Sequence, residues 1–427
     1  MSGINNEGYR ARVVDDTVAR GLRVSGAVCI QGPKWCGKTR TALAHSKSAF
    51  MMMGLTDQGY PNRQLALNSL RLVLDGETPR TIDEWQEVPS IWDAVRYEVD
   101  RRGAKGQFIL TGSSTPVKEG IMHSGAGRIA RVGMRTMSLW ESGDSQGEVS
   151  LAALFDGRLQ NKLVEASTLQ QLIYLTVRGG WPANIGMDAE DAFFAVKNYI
   201  DIIVEEDFGR AYSTNASVVK LRKVLASLAR NESTVATKAK LLADIVGADE
   251  KFDPDTLSKY LEVLGSLFLL ADQPQYTANI RSSVKVGKGA KRHLTDPSLA
   301  CALLDATPQK LLGDLNTFGM LFEALCERDL AIYAEAIGGK LYHYRDYRGD
   351  EIDAVVELSD GRWGAFESKL GANQTDAAAA NLTKMRDKIA QGGGKTPAVM
   401  CVICGLANAI YRRADGVCVV PITMLKP

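Results

Sequence analysis

One short segment of the sequence has the residue types and spacing of a phosphate-binding loop. The segment GPKWCGKT, residues 32–39, follows the apolar run AVCI and leads into TRTALAHSKSAF, which has a helical pattern. Glycines let the backbone N–H groups of such a loop turn inward around phosphates, at the positive end of a helix. We expect Lys38 to reach the β- and γ-phosphates of ATP and Thr39 to offer its hydroxyl to Mg²⁺. The predicted nucleotide site comprises Gly32, Pro33, Lys34, Trp35, Cys36, Gly37, Lys38, Thr39 and Arg40.

A nucleotide site of this kind also needs an acid at the end of a neighbouring strand to hold Mg²⁺. The segment PRTIDEWQ, residues 79–86, offers Asp83 and Glu84 side by side. We expect Asp83 to contact Mg²⁺ or its water shell, and Glu84 to polarise the attacking water as catalytic base. Asp75 is the rival acid, although the glycine after it favours a turn. The alternative interpretation of the Asp-Glu pair is a charged loop.

An apolar run that ends in small polar residues, GQFILTGSS, follows the acidic segment. A polar residue at such a strand end can sense the γ-phosphate, and Thr111, Ser113 and Ser114 are the candidates. We place Ser113 in the nucleotide site. A plain strand-to-turn transition is the alternative.

Arg128 lies in the glycine-containing segment HSGAGRI. An exposed arginine in such a loop can act as a finger that stabilises charge on the nucleotide of a neighbouring subunit. We therefore expect a catalytic role for Arg128 and self-association into an oligomer. A solvated basic face, shared with Arg131 and Arg135, also explains this arginine.

A second group of charged residues lies in the last third of the chain. Glu323 lies on a predicted helix, Asp353 in the strand-like run EIDAVVEL, and Glu367 and Lys369 in WGAFESKL. Alternation along a strand puts residues 367 and 369 on one face. Asp353 and Glu367 on adjacent strands would share a divalent metal, and Lys369 would orient the water. The spacing is loose, and a solvated face of a hairpin is the alternative.

The elements that must position these residues fall into three parts. Residues 1–150 alternate strand-like runs with helical patterns, which predicts an α/β fold. Residues 151–312 have long helical periodicity, and residues 313–427 return to mixed α and β. We therefore predict an ATPase domain over 1–150, a helical region over 151–312 and an α+β domain over 313–427.

In combination these motifs resemble a known family. GPKWCGKT, the stretch from PRTIDEWQ to ILTGSSTP, and HSGAGRI look like AAA-type ATPases that carry a C-terminal DUF4143 domain, and VRGGWPANIG and FGMLFEALCERDL fit the same family. The resemblance implies a P-loop NTPase core with an additional strand and a catalytic glutamate. It further implies a helical, winged-helix-like lid and a C-terminal fold similar to PD-(D/E)xK nucleases, with Glu323 as the helical glutamate.

Charge and composition limit the classes of partner. The 427 residues include 51 Lys+Arg and 50 Asp+Glu, so a protein that coats nucleic acid by bulk charge is excluded, whereas a local basic groove is not. The best candidate for such a groove is RSSVKVGKGAKRH, residues 281–293, which contains no acid and could equally be a solvated loop. Basic residues on the helices at 217–246 are further candidates.

The same composition bears on location. No apolar run is long enough to span a membrane, and the first residues carry charges without an apolar core, so we expect no membrane contact and no secretory signal. Seven scattered cysteines predict reduced thiols in a cytoplasmic protein, with Cys401 and Cys404 in a buried strand.

The sequence therefore predicts an oligomeric, Mg²⁺-dependent ATPase that binds or remodels nucleic acid. DNA is the nucleic acid that we expect. Two alternatives stay open. The first is an ATP-gated assembly switch that acts on a protein partner. The second is a metal-dependent DNA nuclease regulated by ATP.

Overall fold

The computed structural model describes residues 7–56, 59–114, 123–212, 217–246, 252–277, 289–346 and 348–427. The chain separates into two compact units. The first consists of Met1–Thr136, Trp181–Ala183 and Val263–Leu269. The second consists of Met137–Gly180, Asn184–Glu262 and Leu270–Pro427.

The first unit is built on a five-stranded parallel sheet. Its strands are β1 (Ala27–Gln31), β2 (Ser48–Met51), β3 (Arg80–Asp83), β4 (Phe108–Gly112) and β5 (Ile129–Gly133), in the spatial order β2-β3-β4-β1-β5. One strand, β4, therefore lies between the strand before the phosphate-binding loop and the strand that ends in Asp83. Parallel strands bring their carboxyl ends to one edge, so the loops after β1, β3 and β4 meet there.

Helices cover both faces of this sheet. They are α1 (Asp15–Val24), α2 (Lys38–Ala44), α3 (Asn62–Asn68), α4 (Leu70–Leu74) and α5 (Ser90–Arg102). Alternate residues of β1 point to opposite faces, so Ala27 and Cys29 join one apolar core while Val28 and Ile30 join the other. Burial on both faces explains why the central strands β1 and β4 are largely apolar runs.

Helices dominate the middle of the chain. They are α6 (Leu139–Ser142), α7 (Leu151–Phe155), α8 (Leu169–Arg178), α9 (Ala189–Ile202), α10 (Phe208–Tyr212), α11 (Val218–Arg230), α12 (Lys238–Ile245), α13 (Pro254–Ser266), α14 (Pro297–Leu303) and α15 (Pro308–Gly313). The side chains of Thr168, Ser217 and Thr237 accept backbone N–H groups at the starts of α8, α11 and α12. These caps define where the predicted helical periodicity begins. Two short strands, β6 (Val149–Ser150) and β7 (Lys162–Leu163), accompany the helices.

The last part of the chain combines a long helix with a mixed sheet. Its elements are α16 (Leu315–Ala336), β8 (Gly339–Arg345), β9 (Glu351–Leu358), β10 (Trp363–Lys369), α17 (Thr375–Gln391), β11 (Val399–Cys404), β12 (Ala409–Arg412), β13 (Cys418–Pro421) and β14 (Leu425–Lys426). A seven-stranded sheet has the order β7-β12-β13-β11-β10-β9-β8, and β14 pairs with β6. Strand β10 is antiparallel to β9 and parallel to β11. This register places Asp353 and Glu367 on neighbouring strands.

The cysteines and the membrane prediction can be compared directly with this fold. All seven cysteines are buried and free, and Cys401 and Cys404 lie in the buried strand β11, as predicted. Within the described ranges, no helix is both long and apolar enough to cross a bilayer.

Candidate functional site

The phosphate-binding loop joins β1 to α2, and glycines are required at both of its ends. Gly37 has φ +101°, a left-handed conformation that favours glycine. A Cβ on Gly32 would lie 2.1 Å from the backbone oxygen of Met134, so no larger residue fits there without movement. Helix α2 begins at Lys38, which directs its N-terminal N–H groups toward the loop.

Lys38 and Thr39 occupy the first turn of α2. The buried Lys38 ammonium donates to the backbone oxygen of Pro33 at 2.8 Å. The Thr39 hydroxyl donates to Oδ1 of Asp83 at 2.7 Å. The Lys38 ammonium is therefore hydrogen-bonded to an uncharged carbonyl group. The Thr39 hydroxyl is hydrogen-bonded to Asp83, the predicted metal-binding acid.

Asp83 ends strand β3 and accepts a second hydroxyl, from Thr111 at the end of β4, at 2.6 Å. Burial raises the pKa of Asp83, although the Thr111 and Thr39 hydroxyls oppose that rise. The rival acid, Asp75, follows helix α4 rather than a strand. The sheet edge therefore brings Asp83, not Asp75, to the loop.

Glu84 follows directly in a left-handed conformation, with φ +53°. Its backbone N–H donates to the Thr111 hydroxyl at 3.0 Å, and its carboxylate accepts from the Ser113 hydroxyl at 2.9 Å. The Gln86 amide donates to the same carboxylate oxygen and, at 3.2 Å, to Ser113. Two of the three candidate sensors therefore contact the acids, and Ser114 is half-buried at the next position.

Two side chains of this site, Arg12 and Gln86, make hydrogen bonds that the sequence did not predict. The Arg12 guanidinium, 7% exposed, donates to the Cys36 backbone oxygen at 2.8 Å and to the Arg135 backbone oxygen at 2.9 Å. No local signal marks Arg12, because its partners lie 24 and 123 positions along the chain. Gln86 lies two positions after Glu84, but the local sequence does not indicate that its amide would donate to that carboxylate.

Other predicted loop residues have varied surroundings. Trp35 adopts φ +71°, and buried Cys36 places its sulfur 3.9 Å from the Met134 backbone oxygen. Lys34 is half-buried, and the Arg40 guanidinium donates to the Glu7 backbone oxygen at 2.6 Å.

Arg128 is half-exposed beside α5. Its Nε donates to Asp100 at 2.9 Å, and the side chain is 47% exposed. The guanidinium of Arg131 lies over the ring of Trp92, 5.4 Å from its centroid. Within one chain, Arg128 is thus joined to an exposed acid. Its role as a finger stays a prediction.

The structure brings Asp353, Glu367 and Lys369 together in the second unit. The Lys369 ammonium lies 3.1 Å from Asp353 Oδ2 and 2.7 Å from Glu367 Oε2. Burial and the Asp353 charge raise the pKa of Glu367 to about 7. Burial also acts to raise the pKa of Asp353, but Lys291 and Lys369 hold it below its usual value.

Lys291 connects Glu323 to this group. Its buried ammonium donates to the carboxylates of Glu323 and Glu327 and, at 3.3 Å, to the backbone oxygen of Asp353. Burial and the Asp353 charge raise the pKa of Glu323 to about 8. We call Lys291, His293, Glu232, Glu323, Glu327, Asp353, Glu367 and Lys369 the carboxylate cluster.

The cluster corrects part of the expectation for a basic groove. Lys291 is enclosed by carboxylates, Arg292 is paired with Asp272, and buried His293 lies 2.8 Å from Glu232 and 3.0 Å from Glu327. These three residues neutralise internal acids, so they are not a solvated basic surface. Residues 281–288 of that stretch lie outside the described residues.

The basic residues of the middle helices are partly paired as well. Arg222 on α11 lies 2.8 Å from Asp201, and the Lys220 ammonium stands 5.6 Å from the centre of the Phe252 ring. Among the described residues, no group of three or more His, Cys, Asp or Glu side chains has the arrangement of a metal site. The divalent-metal site predicted on Asp353 and Glu367 stays a prediction.

Family models match three consecutive parts of the chain. An AAA domain, AAA_14, matches residues 24–142; a domain of unknown function, DUF8612, matches residues 169–310; and a domain of unknown function, DUF4143, matches residues 318–425. Two uncharacterized proteins, from Mycobacterium bovis and Mycobacterium tuberculosis, are each 25% identical to this chain over 353 residues. That region covers 82% of this chain and 71% of each relative.

Solved structures show more distant likeness. A Walker-type ATPase from Pyrococcus abyssi has 12% identity and a TM-score of 0.45, and covers 71% of this chain and 98% of its own. The Holliday junction branch migration motor RuvB of Thermotoga maritima has 18% identity and a TM-score of 0.26, with 61% and 89% covered. The parallel sheet, the loop after β1 and the family matches agree with one another. The chain thus joins an AAA domain of the AAA_14 type, at residues 24–142, to a DUF4143 domain at residues 318–425.

Proposed function

We propose that this protein is an Mg²⁺-dependent ATPase that couples ATP binding and hydrolysis to binding or remodelling DNA. One observation carries the proposal: Lys38, Thr39, Asp83 and Glu84 meet at the carboxyl edge of one parallel sheet. Each is the residue type that phosphoryl transfer needs at that place.

Thr39 and Asp83 are suited to hold the metal. A hydroxyl and a carboxylate are the hard oxygen ligands that Mg²⁺ prefers, and their oxygens already lie 2.7 Å apart. Burial raises the pKa of Asp83, which is the expected environment of an acid that is completed by a cation. Bound there, Mg²⁺ would supply positive charge against the β- and γ-phosphates.

Lys38 and Glu84 would carry the remaining chemistry. Lys38 would exchange its bond to the Pro33 carbonyl for bonds to phosphate oxygens, which are charged and therefore stronger acceptors. Glu84 would accept a hydrogen bond from the attacking water once Ser113 and Gln86 release its carboxylate. The side chain of Ser113 is also placed to sense the γ-phosphate.

The partners belong to the same proposal. Arg128 is exposed and would act in trans on the nucleotide of a neighbouring subunit, so we propose an oligomer. A DNA partner would suit the winged-helix-like lid and the PD-(D/E)xK-like fold that the family resemblance implies. Residues of α11 and α12, such as Lys223 and Lys240, are the candidate phosphate contacts.

The test is ATP hydrolysis with and without single-stranded, duplex and branched DNA, beside a Lys38→Ala control. Stimulation by one DNA form supports the proposal and identifies the substrate. Slow hydrolysis that no DNA alters supports the alternative, an ATP-gated switch acting on a protein partner.

The meeting of Asp353, Glu367 and Lys369 favours a second candidate, a metal-dependent nuclease regulated by ATP. Asp353→Ala should then abolish cleavage without changing ATP hydrolysis, whereas Asp360→Ala, in an exposed turn, should change neither. Intact DNA after incubation of the native protein with Mg²⁺ or Mn²⁺ would exclude this candidate.

A further inference from the structure

The segment RGGWP, residues 178–182, lies within the motif VRGGWPANIG and has no part in the ATPase chemistry proposed above. Its tryptophan, Trp181, is completely buried. The Trp181 ring stacks on the ring of Trp35 in the phosphate-binding loop, with centroids 5.6 Å apart and planes inclined by 24°. Two tryptophans 146 positions apart in sequence therefore form one stacked pair at the loop.

Trp35 needs such support because of its backbone. Its φ of +71° lies in the left-handed region, which is unfavourable for a residue with a large side chain. Residues in this region persist where surrounding contacts hold them, and such positions concentrate at functional sites. The aromatic stack provides a contact that keeps the ring, and with it the loop backbone, in place.

The residue after Trp181 approaches the same loop. The Pro182 ring is 3.4 Å from the position that a Cβ on Gly37 would occupy, and the Arg12 guanidinium is at the same distance. Arg12 also binds the Cys36 backbone oxygen. Residues 35–37 are thus held by an arginine from before α1 and by Trp181-Pro182.

The chain on either side of this contact is anchored separately. Trp181–Ala183 belongs to the first compact unit, whereas Gly180 and Asn184 belong to the second. The Gly180 N–H donates to Asp296 at 3.0 Å, and Asp296 is paired with Arg328 at 3.1 Å. The Asn184 amide donates to the Arg178 backbone oxygen at 3.1 Å, which closes the base of the loop 178–184.

Glycine is needed just before Trp181. A Cβ on Gly179 would lie 2.4 Å from the Ser298 hydroxyl, and one on Gly180 would lie 2.1 Å from the Met137 backbone oxygen. Gly179 and Gly180 therefore allow the backbone to pack closely against Ser298 and Met137. Trp181 follows directly after them.

We propose that Trp181 is a positioning residue for the phosphate-binding loop: its ring holds Trp35, and with it the backbone of residues 35–37, in the conformation that binds nucleotide. The proposal rests on nucleotide binding at Lys38. Its physical basis is that the stacked ring opposes a change in the loop backbone at Trp35.

The experiment compares Trp181→Phe and Trp181→Ala with Trp363→Phe, which alters a buried tryptophan of the C-terminal sheet. Equilibrium binding of ATP and its steady-state hydrolysis are measured for each protein. We expect Trp181→Ala to weaken ATP binding at least tenfold, with Trp181→Phe close to native because a phenyl ring can still stack. Trp363→Phe should bind ATP normally.

A second measurement keeps the result interpretable if Trp181→Ala folds poorly. Hydrogen exchange of residues 34–38 is followed in the native protein, in Trp181→Phe and in Trp181→Leu, which keeps an apolar side chain but has no ring to stack. Faster exchange in Trp181→Leu than in the other two proteins supports the positioning role. Equal exchange in all three proteins overturns it.

The stacked pair has a signature independent of activity. Two indole rings this close couple their electronic transitions, so the circular dichroism couplet of this pair should be lost in Trp35→Phe and in Trp181→Phe alike. The contribution of Trp85 and Trp92, whose centroids lie 4.8 Å apart, should remain in both variants. Native ATP binding by a folded Trp181→Ala protein that has lost the couplet overturns the positioning role. If native and Lys38→Ala proteins bind ATP equally, the proposed function fails, and the couplet still tests the stack.

Discussion

The nucleotide site and the carboxylate cluster both contain lysines and acids, but they satisfy their charges in opposite ways. In the nucleotide site Lys38 rests on a backbone carbonyl, and Asp83 and Glu84 accept bonds from hydroxyls and an amide. In the cluster Lys291 and Lys369 lie directly between carboxylates.

The difference indicates what each region is arranged to do. Neutral partners are exchanged for a charged ligand at little cost, whereas a buried ion pair is broken only at the cost of leaving a charge uncompensated. The first region is thus prepared for an anionic ligand and its cation. The second has neutralised much of its own charge, so the contrast supports the proposed ATPase more than the alternative nuclease.

The largest expected effect tests the nucleotide site. Glu84→Gln should reduce kcat for ATP hydrolysis by roughly 10²–10⁴-fold, because the amide cannot act as general base, and should leave ATP binding intact. Steady-state hydrolysis and equilibrium binding measure the two effects. Glu87→Gln, three positions along, is the matched control and should hydrolyse ATP normally. Undiminished hydrolysis by Glu84→Gln would remove the base assignment.

The next effect tests the cluster. Lys291→Met keeps most of the side-chain length but removes the charge, so Glu323 and Glu327 lose their buried partner. We expect a loss of about 3–5 kcal/mol in the free energy of unfolding, measured with urea. The exposed Lys340→Met should change that free energy by less than about 0.5 kcal/mol. If Lys291→Met were as stable as the native protein, the carboxylate cluster would not depend on the Lys291 ammonium.

The pH dependence of stability sharpens the same contrast. Although burial opposes it, Glu327 and Glu232 raise the pKa of His293 to about 9. A histidine whose pKa is raised by folding stabilises the folded state when it is protonated. This contribution to the free energy of unfolding is fully present below pH 6.5 and is lost as the pH rises through 9. The raised pKa of Glu323 acts in the same direction, since its folded carboxyl favours the protonated form up to about pH 8.

Urea unfolding at pH 6.5 and pH 9 measures this effect. The free energy of unfolding should fall by on the order of 3 kcal/mol over that range, at about 1.4 kcal/mol per pKa unit of His293. His293→Gln should flatten the profile. Because His293 and Glu323 are not residues of the nucleotide site, ATP binding should not follow the same profile. Equal stability at both pH values would contradict the assignment.

The smallest effect concerns the release of Glu84. Gln86→Leu removes an amide that donates to the Glu84 carboxylate, so we expect kcat to change by roughly 2–10-fold, the worth of one hydrogen bond, with little change in KM. Gln64→Leu on the exposed face of α3 is the control. A change confined to KM would place Gln86 in nucleotide binding instead.

Much of the nucleotide site follows from adjacent residues. The loop 32–39 and its helix depend on glycine conformations and on a helix start, both set within a few positions. The order of the strands was implied by the family resemblance, and the sheet explains why Asp83 rather than Asp75 reaches Thr39. The structure brings Thr111 and Ser113 to the two acids because the end of β4 lies beside the end of β3, and their role as γ-phosphate sensors stays a prediction.

Strand pairing also explains how the charged residues of the C-terminal part come together. Alternation along β10 places Glu367 and Lys369 on one face, and the pairing of β9 with β10 adds Asp353. The sequence did not show that Lys291 would enter between Glu323 and Glu327, since a basic stretch without acids suggests a solvated surface. Its partners lie 32 and 36 positions away, on a helix.

The sequence by itself determined the chemistry that depends on neighbours: the phosphate-binding loop, the Asp-Glu pair and the domain types that carry them. Only the tertiary structure decided which distant groups touch these residues, among them Arg12 on Cys36, Ser113 on Glu84 and Trp181 on Trp35. The physical reason is range. Local conformation is set by steric limits within a few residues, whereas a contact between distant residues exists only because packing of the whole sheet and its helices closes the chain between them.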